Sequence, residues 1–107
     1  MLVWVIYDIE NNKTRLKVAR KCKNVGLYRV QKSAFLGDIE ENIFDELKLQ
    51  LEDMIDTSKD SAYVFTMSKS ELNKAGLIGQ AFDRKMVSDE IISKFFLPQF
   101  THLKSSG

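Results

Sequence analysis

The chain begins with an uninterrupted apolar run from Leu2 to Tyr7, and this run limits the folds that the chain can adopt. It is short and contains β-branched and aromatic residues, which is typical of a strand. Alternate residues of a strand point to opposite sides, so Val3 and Val5 face one way whereas Trp4 faces the other. Because both sides are apolar, the sheet that contains this strand needs a covering layer on each of its faces.

Apolar periodicity along the rest of the chain predicts alternating helices and strands. The predicted elements are a strand over 2–7, a helix over 13–25, two strands within 27–36, a helix over 39–55 and a strand over 61–67. A bulge or break around Ser33-Ala34-Phe35 would divide the run over 27–36 into its two strands, and Gly37 ends it. This order predicts a ferredoxin-like α+β fold, in which two helices pack on one face of an antiparallel sheet. A second copy of the sheet would cover the other face, so we expect a homodimer.

Local signals predict where the two helices begin and end. Glu10-Asn11-Asn12 is a polar turn with N-cap chemistry for the first helix, and Gly26 follows that helix as a C-cap glycine. The apolar stripe of this helix consists of Leu16, Ala19, Cys22 and Val25, with Val18 beside it. Asp38 and Glu41 form a capping-box pattern at the start of the second helix.

The length of 107 residues favours a single domain. We expect a core over 1–82 with an edge strand near 75–82, and a C-terminal extension over 83–107 that is partly disordered. No apolar run approaches the ~20 residues that span a bilayer, and the N-terminal run lacks the basic flank of a signal peptide. Together with a single cysteine, these features indicate a cytoplasmic protein without a membrane partner.

The residue types that are present limit the chemistry. The chain has one cysteine, Cys22, and one histidine, His102. A zinc site, a Cys–His pair and a Ser–His–Asp triad are therefore disfavoured. Gly76 and Gly79 lack the Lys-Ser/Thr of a phosphate-binding loop, which argues against a nucleotide-binding module. Hydrolysis by this chain would have to use carboxylates and a metal ion.

The net charge of +1 conceals a strong separation of charge along the chain. Residues 11–37 include no acid, and the basic residues there are Lys13, Arg15, Lys17, Arg20, Lys21, Lys23, Arg29 and Lys32. Residues 38–56 are mainly acidic, with Lys48 as their one basic residue. Lys and Arg bind phosphate through charge, and Arg adds a forked set of donors. The basic segment therefore predicts a nucleic-acid-binding surface, with an ordinary solvated helix face as the alternative.

Asp8 ends the apolar first strand and is the strongest candidate for chemistry. A carboxylate in this place can ligate a divalent cation such as Mg²⁺, with Mn²⁺ as an alternative. One carboxylate is too few for a tight site, so two copies of Asp8 across a two-fold axis would share the ion and activate water. Alternatively, Asp8 caps the following turn or helix.

Arg29 and Phe35, in the predicted strand pair, are further candidates. Arg29 is a charge within a strand, and it either points toward the Asp8 end of the sheet or pairs with an acid of the second helix. Phe35 either stacks on a nucleic-acid base or packs in the core. The residues alone leave these alternatives open.

Two segments of the sequence together resemble the CRISPR-associated Cas2 family. The first is Val5-Ile6-Tyr7-Asp8-Ile9, and the second, after the basic helix, is Gly26-Leu27-Tyr28-Arg29-Val30-Gln31-Lys32-Ser33-Ala34-Phe35-Leu36-Gly37. The resemblance extends over roughly residues 1–67. It implies a ferredoxin-like homodimer in antiviral defence, where it is the central dimer of the CRISPR integrase complex during spacer acquisition. It also implies a metal-dependent endonuclease that acts on RNA or double-stranded DNA.

The resemblance implies roles for individual residues. Asp8 would be both the catalytic residue and the metal ligand. Positions associated with substrate contact or activity are Arg15, Lys17, Arg29 and Phe35, and the basic helix adds Lys13 and Arg20 as nucleic-acid-binding residues.

Four functions stay open at this point. They are a nuclease that uses paired Asp8 residues and Mg²⁺, a non-catalytic DNA-binding scaffold for the integrase partner protein, an interferase-type toxin RNase of similar fold, and a small-molecule-binding regulatory module. A scaffold needs the basic segment but not Asp8, whereas the nuclease needs both.

Overall fold

The computed structural model describes residues 1–76 and 78, and the strands and helices that were predicted up to residue 67 are present within them. The elements are β1 (Leu2–Asp8), α1 (Asn12–Asn24), β2 (Tyr28–Gln31), β3 (Ala34–Asp38), α2 (Glu41–Met54), β4 (Ser61–Met67) and α3 (Lys69–Lys74). The strands form one antiparallel sheet in the order β2-β3-β1-β4. Each long helix therefore joins two strands that are separated by a third, which is the ferredoxin-like arrangement that the sequence predicted.

One side of the sheet, here called the helix face, packs against α1 and α2. Val3, Val5 and Tyr7 project from β1 on this side, because alternate residues of a strand share a face. They meet the buried residues Val18, Ala19 and Cys22 of α1 and Leu47 and Leu51 of α2. This layer is the main core, and it fixes α1 beside the end of β1 at Asp8.

The opposite side, here called the open face, is only partly covered. Leu72 of α3 is buried against Trp4 and Leu36 on this side. Helix α3 was not predicted, because Leu72 is its one buried apolar residue and a single residue gives no periodicity. Its start nevertheless carries a capping box, in which Ser68 and Glu71 bond each other's backbone amides.

A strip of the open face stays exposed next to Asp8. Ile6, Phe65 and Tyr63 retain 38%, 37% and 63% exposure. Ile6 lies opposite Tyr63 and Trp4 lies opposite Phe65 in the β1–β4 pairing, so the exposed side chains are contiguous. A monomer leaves an aromatic and aliphatic surface uncovered here, within the described part of the chain.

Two predictions about the helices were wrong. Leu16 is 63% exposed and does not belong to the buried stripe of α1. Helix α1 packs through Val18, Ala19 and Cys22, and Leu16 lies about 120° around the helix axis from Cys22 at about 100° per residue. Asp38 does not cap α2, because it pairs with Leu2 as the last residue of β3. The N-cap is Glu40, which makes no side-chain capping bond.

The hairpin between β2 and β3 was predicted from the break near Ser33, but β3 continues through Gly37, which the sequence suggested as its end. Gly37 is buried, and a Cβ atom there would lie 2.9 Å from the carbonyl oxygen of Gly26. Gly26 has a φ of 105°, which favours glycine at the end of α1. The two glycines thus let the end of α1 approach β3 closely.

The predicted edge strand near 75–82 and the extension over 83–107 fall mostly or wholly on residues 77 and 79–107, which lie outside the described residues. Within the part that is described, no helix combines the length and apolar character needed to cross a membrane.

Candidate nucleic-acid interface

A cleft of about 550 Å³ opens beside the start of α1 and the β2–β3 hairpin. Its lining residues are Tyr7, Asn12, Arg15, Leu16, Arg29, Lys32 and Ser33. The lining includes three cationic side chains and no acidic one. We call it the basic cleft, and its charge suits a polyanion such as a phosphodiester chain.

Arg29 has the most constrained geometry in the basic cleft. Its guanidinium carbon lies 5.1 Å from the centroid of the Phe35 ring, which is a cation–π contact. The ring of Tyr7 stacks near Phe35 at a centroid distance of 6.3 Å. The Nε atom of Arg29 is buried and has no hydrogen-bond partner among the described residues. A buried donor without a partner is costly, and the packing of the guanidinium on the Phe35 ring offsets part of that cost.

Tyr7 and Arg15 border the same cleft. The Tyr7 hydroxyl donates to the carbonyl oxygen of Lys32 at 3.4 Å. Burial raises the pKa of Tyr7 above 10.0, although the neighbouring Arg29 guanidinium acts in the opposite direction. Tyr7 is therefore a neutral phenol at physiological pH. Arg15 donates from Nη1 to the carbonyl oxygen of Ile9 at 3.5 Å, which leaves other donors of its fork for a ligand.

The basic residues predicted on α1 divide into two groups. Arg15 lines the basic cleft together with Arg29. Lys13, Lys17 and Arg20 are exposed and do not line it. At about 100° per residue these three lie on the side of α1 opposite its buried face, and we call them the basic ridge.

Phe35 is fully buried, with no exposed surface. Its ring lies beneath Arg29 and beside Tyr7, so it is not open to a nucleic-acid base. The alternative of core packing is therefore the one that this structure supports. Any effect of Phe35 on a ligand would act through the position of Arg29.

Asp8 is exposed at the end of β1 and lies on the open face. It shares that face with Ile6, whereas Tyr7 between them belongs to the helix face. Asp8 and Arg29 therefore lie on opposite sides of the sheet. Arg29 packs on Phe35 and lines the cleft together with Tyr7, so it lies near the Asp8 end of the sheet but on the helix face.

Asp8 does not cap α1. The N-cap is Asn11, whose side chain accepts from the Thr14 amide at 3.0 Å. In the turn after β1, the Glu10 amide donates to Asp60 at 3.1 Å. Other residues thus perform the capping that was the alternative role of Asp8.

The donor set around Asp8 is small for a metal ion. Within residues 1–76 and 78 there is no group of three or more His, Cys, Asp or Glu side chains that could hold one. Asp8 supplies one hard carboxylate, and its β4 neighbour Ser61 is exposed beside it. The described residues of one chain are therefore too few for Mg²⁺, and they suit it only if a second copy adds its own carboxylate.

Sequence reasoning missed several cleft residues. Asn12, Leu16 and Ser33 carry no charge, and Leu16 was assigned to the core. Lys32 was counted in the basic segment but was not assigned to a site. The predicted break near Ser33 was the available signal, because a hairpin turn there brings Lys32 beside the end of β1.

The comparisons with known proteins agree with this architecture. The family model for CRISPR associated protein Cas2 matches residues 1–75. The CRISPR-associated endonuclease Cas2 of Halalkalibacterium halodurans is 34% identical over 84 residues, which are 74% of this chain and 86% of that protein. The CRISPR-associated endoribonuclease Cas2 of Korarchaeum cryptofilum is 46% identical over 52 residues, or 45% of this chain, and the match spans only 56% of that relative.

A solved structure is similar over most of the chain. The crystal structure of Streptococcus pyogenes Cas2 at pH 6.5 superposes with a TM-score of 0.65 and 28% identity, and the match covers 74% of this chain and 100% of that one. The family match and the shared fold lead to one conclusion: the chain belongs to the CRISPR-associated Cas2 family.

Proposed function

We propose that this chain is a CRISPR adaptation protein that binds nucleic acid through the basic cleft and, as a homodimer, hydrolyses phosphodiester bonds. The observation that carries the proposal is Arg29, whose guanidinium packs on the Phe35 ring and which lines a cleft without acidic side chains. Phosphate is the ligand that satisfies both the charge and the donors of such a group. RNA and double-stranded DNA both supply it, and relatives are named endoribonuclease and endonuclease.

The proposed homodimer joins two open faces. The exposed strip of Ile6, Tyr63 and Phe65 supports it, because burying apolar surface drives association. Asp8 lies at the end of this strip on the same face. Pairing two open faces would therefore also bring two Asp8 carboxylates to one side of the dimer.

In this proposal the two Asp8 carboxylates hold one Mg²⁺ ion, with Mn²⁺ as the alternative. When bound, the metal supplies positive charge that activates water and stabilises the charge developing on the phosphate. The role of the chain's own cations is different. Arg15, Arg29 and Lys32 bind the phosphodiester chain on the helix face and fix its register relative to Asp8.

A second candidate function is a non-catalytic scaffold that holds DNA for an integrase partner protein. The observation that favours it is the separation of Asp8 from the basic cleft by the sheet. Binding at the cleft does not need Asp8 in the same chain. The basic ridge of Lys13, Lys17 and Arg20 adds a second cationic surface that a scaffold can use along a duplex.

Cleavage of labelled single-stranded RNA and double-stranded DNA separates the two candidates. The wild-type protein and Asp8→Asn are incubated with Mg²⁺, Mn²⁺ or a chelator, and binding is measured in parallel. The matched control is Asp53→Asn, which removes an exposed carboxylate from α2. The nuclease predicts metal-dependent cleavage that Asp8→Asn abolishes while binding persists. Absence of cleavage by the wild type, or equal cleavage by Asp8→Asn, with binding intact, contradicts the nuclease and leaves the scaffold.

A further inference from the structure

Leu16 occupies an unexpected place for a leucine. It is 63% exposed although it belongs to a helix whose packing face is well formed. Single exposed leucines are common on protein surfaces and need no explanation by themselves. Leu16 differs from such a residue because it lines the basic cleft, one helical turn from Asn12 and next to Arg15.

The composition of the basic cleft does not match a site for phosphate alone. Arg15, Arg29 and Lys32 supply the positive charge, whereas Leu16 supplies an aliphatic wall. The cleft is open to solvent and has a volume of about 550 Å³. A phosphate group fills only a small part of this space. The ligand that uses the rest must carry an apolar surface next to its negative charge.

A nucleotide has this combination of properties, since its base and sugar present apolar faces beside the phosphate. We propose that Leu16 is a binding residue that packs against the sugar and base of one unpaired nucleotide whose phosphate is bound by Arg29 and Arg15. The inference rests on the proposed binding of nucleic acid by the basic cleft. It adds that the cleft takes a whole nucleotide, because a base face is accessible only where the strand is unpaired and unstacked.

Leu16 and Leu49 form a matched pair for the test. Leu49 is 66% exposed on the acidic helix α2 and does not line the basic cleft. Leu16→Ala, Leu16→Met, Leu49→Ala and the wild type are titrated with a single-stranded oligonucleotide and with inorganic polyphosphate at several salt concentrations. Polyphosphate keeps the charge of the strand but has no sugar or base.

The inference predicts that Leu16→Ala weakens oligonucleotide binding about five- to tenfold, through loss of buried apolar area. The slope of affinity against salt should stay unchanged, because no phosphate contact is removed. Polyphosphate binding by Leu16→Ala, and both affinities of Leu49→Ala, should match the wild type. Leu16→Met should restore most of the oligonucleotide affinity, because it restores an apolar side chain of similar volume.

Equal oligonucleotide affinity of wild type and Leu16→Ala would overturn the inference while the proposed function stands. An equal loss for oligonucleotide and polyphosphate would also overturn it, because Leu16 would then only position the cations. If the wild type binds neither probe, the proposed function itself fails, and the inference fails with it.

Discussion

Arg29 illustrates how the surroundings of one residue decide its use. Its guanidinium has a ring on one side at 5.1 Å and a cleft without acids on the other. The flat guanidinium stacks on an aromatic face, and its fork matches two phosphate oxygens. Lysine carries the same charge but has neither property. The charge alone therefore does not explain why an arginine stands at this position.

Arg29→Lys tests this argument at constant charge. We expect it to weaken binding of nucleic acid about tenfold, since the forked contact and the stacking on Phe35 are both lost. The control Arg20→Lys, on the basic ridge, should leave affinity within about twofold. Fluorescence anisotropy with a labelled strand measures both. Equal affinities of the two variants would show that Arg29 contributes only its charge.

Cys22 is the buried nucleophile of the chain, and its surroundings make it inert. It has no exposed surface, and burial raises the pKa of its thiol from 9.0 to about 12. The thiolate is the reactive form of cysteine, so the native protein presents almost none at physiological pH. A packing role is consistent with its place in the main core, where it is buried in one cluster with Val18, Ala19 and the β1 side chains of the helix face.

The raised pKa of Cys22 predicts a specific dependence of stability on pH. The unfolded chain loses its thiol proton near pH 9, whereas the folded chain keeps it until about pH 12. Stability is therefore full below pH 9 and falls as pH rises through this window. At about pH 10.5 the free energy of unfolding should have fallen about 2 kcal/mol further in wild type than in Cys22→Ala. Urea unfolding measures it, and parallel pH profiles of the two proteins would contradict the prediction.

At the scale of secondary-structure elements, a strong apolar pattern was sufficient to predict a strand or helix from the sequence, and a weak one was not. The apolar run of β1 and the repeated apolar positions of α2 predicted both elements. Helix α3 has only Leu72 to bury, so its packing against the sheet decides that it forms. Leu16 fits the helical period of the apolar residues, but it is not buried because α1 packs on the sheet through the smaller residues Val18 and Ala19. These outcomes depend on tertiary contacts that a local pattern does not contain.

The end of β1 and the start of β4 are tied together by the side chain of Asp60. Asp60 is 9% exposed, and its carboxylate accepts from the amide of Glu10 at 3.1 Å and from the amide of Asp56 at 3.2 Å. One side chain thereby satisfies a donor in the turn after β1 and another in the turn before β4. Because Asp8 ends β1, this link also holds the backbone near it.

Asp60→Ala should lower the free energy of unfolding by about 1–3 kcal/mol, because two partly buried amides lose a charged acceptor. Asp53→Ala, which removes an exposed carboxylate from α2, should change it by no more than about 0.5 kcal/mol. Urea denaturation followed by circular dichroism measures both. A loss below about 1 kcal/mol for Asp60→Ala would mean that water replaces the carboxylate at these amides.

At the scale of the whole molecule, the sheet separates two functional surfaces. The basic cleft lies with the helix face, and Asp8 lies on the open face. The sequence predicted the fold and the basic and acidic candidates, but not their separation. Because side chains alternate along β1, Asp8 lies on the opposite face of the sheet from Tyr7. In β2 the register shift between Arg29 and Gln31 interrupts this alternation. The alternation along β1 is enough to place Asp8 on the Trp4 side, whereas the face of Arg29 depends on how β2 pairs with β3, which the order of residues alone does not give.

The uncovered strip of the open face predicts that a charge placed there will separate the protomers. Phe65→Glu puts a carboxylate beside Tyr63 and Ile6 in the proposed interface, where it would be desolvated without a partner. In sedimentation velocity the wild type should be a dimer and Phe65→Glu a monomer over the same concentrations. The control Leu49→Glu introduces the same charge at an exposed position of α2, and this variant should stay dimeric.

The same variant then separates binding from cleavage. Because the basic cleft is built within one chain on the other side of the sheet, monomeric Phe65→Glu should keep binding a short single strand within about threefold of the wild type. Metal-dependent cleavage should be lost, since a lone Asp8 supplies too few ligands for Mg²⁺. Trp4 stacks near Phe65 at a centroid distance of 6.4 Å, so its fluorescence reports whether the local packing survives. A Phe65→Glu protein that sediments as a dimer would place the interface elsewhere, and a monomer that still cleaves would show that one Asp8 is sufficient.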